Sequence, residues 1–426
     1  MIICNTKDKE RLRSLGKQVK ELSELPVMQK NIALWRKVND LNMERPLLHH
    51  RDTSVAILNY NNELTPQIED PFLKNIELDL LLRIYNWKHM PLNYVVSNKV
   101  KCQCVIQDTE WGNIAQYRGV QGNIATEDLR KQKTFHFTAS IKSIEDVEKI
   151  LTPQVSHDEK STMERYHLLK DIFDGILEVK LFGKQYFRVA PWDDIMNWLG
   201  MGDAMLYFYT EPEMMHACID RYMKAAISWV KQYEALGLLS SNNDFENVLN
   251  NDPGYTSQLP LPTESGIGCK LKDIWGATSD QILTSVSPAL TKEYAFDYEQ
   301  EFSQLFGLYG YGCCERLDKK LDDLKAAFPN LRKVSVSPFS NMESCFEQLG
   351  KDYVACFKPN SNILVLDNFE ESKEYLTKEL ENAIRMAIKY DNNLVINMKT
   401  IIDLHDDPAR LWWWCDMATK MVDKYY

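Results

Sequence analysis

The stretch "LYGYGCCERLDKKLDDLKAAFPNLRKVSVSP", residues 308–338, holds two short apolar runs separated by a charged segment with helical spacing. The first run closes on Gly312-Cys313-Cys314-Glu315 and the second on Ser337-Pro338. Runs too short for helices, joined through a helix, make a strand–helix–strand crossover, and such a crossover makes its strands parallel.

The alternation extends to both sides. "LGLLSSNN", "DIWGATSDQI", "DYVACFKP" and "NLVINMKT" are further short runs, and helices are expected to begin near Pro288, Leu317, Asn341 and Glu370, with a last one at Pro408. This many units without a dinucleotide-type glycine fingerprint predict an α/β fold of the closed (β/α)8 TIM-barrel class. "RPLLHHRD" reads as the first strand, ending at His49 and His50.

The portion to about residue 150 is less regular. Helices are expected over 8–24, around "MQKNIALWRKVNDL", and through "IEDPFLKNIELDLLLRIYNWKHM", where Ile76, Leu78, Leu80, Leu81 and Ile84 share a broad face. Residues 1–150 are therefore expected to form an elaborated N-terminal region with early barrel elements, and 151–426 the barrel proper. Within the latter, two helices are predicted after Ala190, the second opening at Glu211-Pro212 and closing at Gly237.

Of the 426 residues, 44% are hydrophobic and 26% charged, the balance of a globular chain. A net charge of -11 opposes nucleic-acid binding, which relies on clustered Lys and Arg. No uncharged apolar run is long enough to span a bilayer. The opening "MIICNTKDKERLRSLGKQ" is charged early and lacks a signal-peptide core, so a cytoplasmic location is expected. Ten cysteines are too dilute for a disulfide scaffold, which leaves packing, metal binding or catalysis. Cys102 and Cys104 alternate on one face of "KVKCQCVIQ" and read as packed thiols.

In parallel barrels the chemistry gathers where strands end and helices begin. The residues at those places are Asn242 and Asn243, Trp275 and Asp280, Cys313 with Cys314 and Glu315, Ser337, Lys358 and Lys399. Cys313 is the candidate nucleophile or metal ligand, favoured as a thiolate by the start of the next helix, which Glu315 is expected to open. In the plainer alternative one thiol packs in the wall. Lys358 and Lys399 suit a substrate carboxylate or phosphate, or neutralise Glu315. His49 and His50 point apart on a strand, so one of them can enter the mouth. His405 is expected to cap or salt-bridge the last helix, and Trp412 to Trp414 to bury against the barrel or another subunit.

"DIWGATSDQILTSVSPALTKEY", the segment from Tyr309 through "SVSPFSNMESCFEQLGKDYVACFKPN", and "NMKTIIDLHDDPARLWWW" resemble the uroporphyrinogen decarboxylase superfamily over about residues 190–426. The resemblance implies a barrel. The superfamily contains tetrapyrrole decarboxylases and cobamide-dependent methyltransferases, the latter using zinc to activate a thiol. The decarboxylases carry an arginine-rich segment of the type Met-Arg-Gln-Ala-Gly-Arg, whereas this chain has "RPLLHHRDTSVAIL", with Arg45 and Arg51 in another arrangement. The methyltransferases hold zinc with a His-X-Cys pair and a distant cysteine. Here Tyr311 stands in the histidine place, and Met398-Lys399 stands where the distant cysteine is expected.

The resemblance thus implies a methyltransferase acting on a small substrate at a Cys-centred site. Cys313, Glu315, Lys358 and Lys399 are its candidate catalytic residues. His49, Asn242, Asn243, Trp275 and Ser337 are candidates for substrate binding, and Cys313 and Cys314 for zinc. A corrinoid protein or a methylated thiol is the implied methyl donor or acceptor, and homo-oligomerisation is compatible. A decarboxylase or lyase, with Lys358 and Lys399 fixing a carboxylate, and a non-catalytic binding barrel are the alternatives.

Overall fold

Seven short strands align in parallel in the computed structural model, which describes residues 2–50, 53–111, 114, 139–200, 202–245 and 252–426. The strands of the chain are β1 (Leu47–His50), β2 (Lys99–Gln103), β3 (Ile106–Asp108), β4 (Val155–His157), β5 (Glu178–Phe182), β6 (Phe187–Val189), β7 (Trp275–Thr278), β8 (Leu308–Tyr311), β9 (Leu331–Val336), β10 (Val354–Phe357) and β11 (Asn393–Met398). The central sheet runs β1-β11-β10-β9-β8-β7-β6, every neighbouring pair parallel. β2 pairs with β5 in parallel and β3 with β4 antiparallel.

Helices connect the strands from β7 onward, as the alternation requires. Asn341 caps Met342–Leu349 by accepting from Ser344 N, and Asn368 caps Phe369–Tyr390 by accepting from Glu370 N. Two expectations change. The run "LGLLSSNN" forms no ladder strand and contributes one parallel bridge, Leu239 to Lys184, at the entry to β6. Its backbone comes so close that a Cβ at Gly183 would sit 1.9 Å from Leu238 O, so glycine alone fits there. The helix expected near Leu317 begins at Leu321, and residues 312–320 form an extended turn instead. Among the described residues the ladder does not return from β6 to β1. The outer edge of β1 bonds to Asn93, whose Oδ1 accepts from Leu48 N.

Side-chain parity divides the sheet into two faces. Leu48, Val189, Tyr309, Val334, Phe357 and Ile396 pack outward in the large core shared with the helices. Leu47, Trp275, Leu308, Val354 and Val395 belong to a separate inner cluster with Trp35, Phe245 and Leu259. Asp252 and Pro253 close the floor of that inner side: Asn397 Nδ2 donates to Asp252 at 2.6 Å and Lys333 Nζ to Pro253 O at 3.1 Å. A third cluster joins the helices Thr6–Ser23, Pro71–His89 and Glu159–Phe173 to β2 and β5. Along β1, β7 and β10 the inner residues pass from apolar at the start (Leu47, Trp275, Val354) to polar at or just past the end (His49, Ser279, Lys358), the side on which the chemistry-bearing residues stand.

Candidate active site

At the end of β8, Gly312 adopts φ +98, and a Cβ there would meet Leu317 Cδ1 and Ser335 Cβ at 3.0 Å. This glycine lets the chain turn sharply and brings two adjacent cysteines onto the strand ends. Cys313 is buried and Cys314 exposed, with their sulfurs 3.6 Å apart. Lys399, directly after β11, donates to Cys313 Sγ at 3.5 Å. Lys358, directly after β10, donates to Cys313 O and to Ser335 Oγ, the latter at 2.5 Å.

Glu315 does not open a helix. Its carboxylate folds back to accept from Cys313 N at 2.6 Å and Asp280 N at 3.2 Å, pinning the turn. The following helix starts too far along to act on Cys313, because a helix end is felt only within its first turn. The thiol is instead lowered by the hydrogen bond from Cys314 and then by the charges of Lys358, Lys399 and Arg188, against burial. Cys314 moves the opposite way, raised by the same hydrogen bond and by the charge on Cys313. Cys313 therefore carries the negative charge of the pair. Burial pushes Lys358 down, with the neighbouring thiolate holding its proton on.

Behind the thiolate stands a set of buried carboxyls. Asp280 accepts from Trp192 N at 2.9 Å and from Tyr311 O–H at 3.2 Å, while Glu299 accepts from Thr278 Oγ1 at 2.7 Å. Burial raises Asp280 and Glu299; the Glu299 charge raises Asp280 further, whereas the hydrogen bond with Asp280 works against the rise of Glu299. Burial also raises Glu315, helped by the Cys313 charge. Asp193, in the first turn of Pro191–Leu199, is pushed up to about 7 by burial and then by Asp280 and Glu315.

The residues expected at the mouth separate into two groups. Cys313, Cys314, Glu315, Lys358 and Lys399 converge. Asn242 and Trp275 do not join them: Trp275 begins β7 instead of ending it, and the Asn242 amide bonds to Trp275 N, Trp275 O and Gln185 O. Asn243 likewise spends its amide on Thr256, Leu259 and Pro260 backbone. Ser337 accepts from Phe339 N within its own turn. His49, buried edge-on between Trp35 and Phe245, lines a separate cavity of about 870 Å³ with His50, Asn243, Tyr94, Lys99 and Lys180. Cys313, Lys358 and Lys399 are not in that cavity's wall.

Other expectations resolve simply. Cys102 and Cys104 are both buried free thiols. Arg45 pairs with Asp423 on the surface, and Arg51 lies outside the described residues. His405 contacts Val365 O and Asp367 in place of the last helix. Trp412 stacks on His89, Trp413 meets Phe369 edge-on, and Trp414 is fully buried.

Sequence reading missed Arg188 and Ser335. Ser335 was accessible from parity, since Lys333, Ser335 and Ser337 alternate with Val334 and Val336. Arg188 sits mid-strand in only three residues, a run too short to carry a periodic signal.

The implied zinc does not fit this donor set. Among the described residues no three His, Cys, Asp or Glu side chains gather as a metal site. The space beside Cys313 is taken by the Lys399 ammonium, which repels a dication. Nor is any helix among them long and apolar enough to cross a membrane.

No family model matches the chain, and no curated protein matches it in sequence. Among solved structures it is similar to a methyltransferase from Methanosarcina mazei, with a TM-score of 0.50 and 12% identity over 93% of this chain and 99% of that one. At that identity the likeness is one of fold.

Proposed function

We propose that this chain is a methyltransferase of the uroporphyrinogen decarboxylase type, built as a closed barrel with residues 1–150 supplying the first strand, and that the Cys313 thiolate accepts the methyl group of a small substrate. The observation that carries this reading is the Cys313 sulfur held by Cys314 and the Lys399 ammonium, with Lys358 beside it. A thiolate with such partners is a nucleophile at neutral pH without a metal. The sulfur forms the new S–C bond with its electron pair as the bond from the methyl carbon to the donor atom breaks. The departing group leaves with the electron pair of the broken bond, and Lys358 and Lys399 stabilise negative charge on it.

The test exposes the full chain to iodomethane and, separately, to methylcobalamin or an S-methyl thiol, and locates the methyl group by peptide mass spectrometry. Methylation at Cys313, lost in Cys313→Ser and kept in Cys314→Ser, supports the reading. Methylation at Cys314 alone, or at neither, overturns it. The lyase alternative shares the lysines but gives Cys313 no role, so an unreactive Cys313 would return weight to it.

A further inference from the structure

β6 is three residues long, and Phe187 and Val189 pack outward, which turns Arg188 to the inner side of the sheet. Its Nη2 donates to Ser279 Oγ at 2.5 Å. Its Nε is buried and has no hydrogen-bond partner among the described residues. A buried donor left without an acceptor is costly, so this position is best explained by an acceptor that arrives from outside the chain.

The positions flanking it in the sheet are small. Arg188 pairs in register with Ala277, and Ala277 with Gly310, so the two neighbouring strands present only a methyl group and a hydrogen at the positions level with it. Cys313 follows Gly310 on the same strand's extension, past Gly312. Arg188 is close enough to help hold the Cys313 thiol down. Around the sulfur the cations are Arg188, Lys358 and Lys399, with Glu315 and Asp193 the carboxyls facing Arg188.

We propose that Arg188 anchors the carboxylate of the small molecule that reacts at Cys313, the free Nε and its neighbouring Nη2 forming the fork that a planar two-oxygen anion matches. This rests on the reading of Cys313 as the reacting thiolate, and it narrows the substrate class to carboxylates.

Two alkylating agents of similar size test it on the full chain: iodoacetate, which carries a carboxylate, and iodoacetamide, which does not. In each reaction the Cys313 sulfur forms the S–C bond while the C–I bond breaks and iodide leaves. The readout is the ratio of the two rates at Cys313, because losing a cation changes the thiolate population equally for both. Iodoacetate is expected to react about tenfold faster, to saturate, and to be slowed by acetate, the size expected of one charge-assisted pair. Arg188→Gln should bring the ratio to about one, and Arg188→Lys, which keeps charge but not the fork, should fall between.

A wild-type ratio at or below one without saturation overturns the inference, as does an unchanged ratio in Arg188→Gln. Protection by phosphate and not by acetate overturns the carboxylate assignment. Should Arg188→Gln fail to fold, saturation and acetate protection in the wild type still decide. Labelling of Cys313 by both reagents at equal rates sinks this inference alone, whereas labelling by neither sinks the thiolate reading with it.

Discussion

Lys399 Nζ stands 3.5 Å from Cys313 Sγ, so an ammonium at the end of β11 is the hydrogen-bond donor to a sulfur at the end of β8. The two residues are 86 positions apart and meet because parallel strands bring all their C-terminal ends to one side of the sheet. A cation so placed stabilises the thiolate over the thiol.

Replacing that cation should therefore raise the thiol. Lys399→Met is expected to move the alkylation midpoint of Cys313 upward by about 1–2 pH units, each unit being about 1.4 kcal/mol of differential stabilisation. The pH–rate profile of iodoacetamide labelling measures it. A profile identical to wild type would show that Lys399 does not act on the sulfur.

Asp193 links the site to stability. Its carboxyl is raised from 3.8 to about 7, so between these values the folded state holds a proton that the unfolded state has lost. Its stabilising effect is complete below the unfolded value and is lost as pH rises through the folded one, on the order of 2–4 kcal/mol over the interval. Asp193→Asn keeps an oxygen to accept from Ile282 N and should flatten this slope. Urea midpoints across that pH range are the measurement, and a slope retained in the variant would place its origin elsewhere.

Gly312→Ala should cost about 1–3 kcal/mol, because φ +98 is strained for any side chain and the new Cβ presses on Leu317 and Ser335. Folded Gly312→Ala should also alkylate more slowly at Cys313, since the turn that places the sulfur must shift. Denaturant midpoints and labelling rates together separate the two effects. A variant with wild-type values in both would mean that the turn relaxes freely.

Asn242 separates scaffold from site. Asn242→Ala leaves Trp275 N, Trp275 O and Gln185 O without the amide that joins them, at a cost of about 1–3 kcal/mol. Its Cys313 labelling rate should stay within about twofold of wild type where the protein is folded. A large change in labelling at unchanged stability would restore Asn242 to substrate binding.

The alternation of short apolar runs and amphipathic helices determined the parallel α/β sheet by itself. Runs such as Asn393–Met398, buried at every position, can exist only as covered strands. The strand-end rule likewise located Cys313, Lys358 and Lys399, because in a parallel sheet the end of each run is readable in one dimension. Tertiary structure alone decided the rest. Whether Trp275 begins or ends its strand depends on register, and one step of register reassigns a residue's place and face. Glu315 reads as a helix opener until its carboxylate is seen folded onto Cys313 N, a contact that depends on the Gly312 turn. Arg188 lies in a strand too short to announce itself. Its place beside the thiolate follows from pairing with β7, a non-local contact that no local pattern encodes.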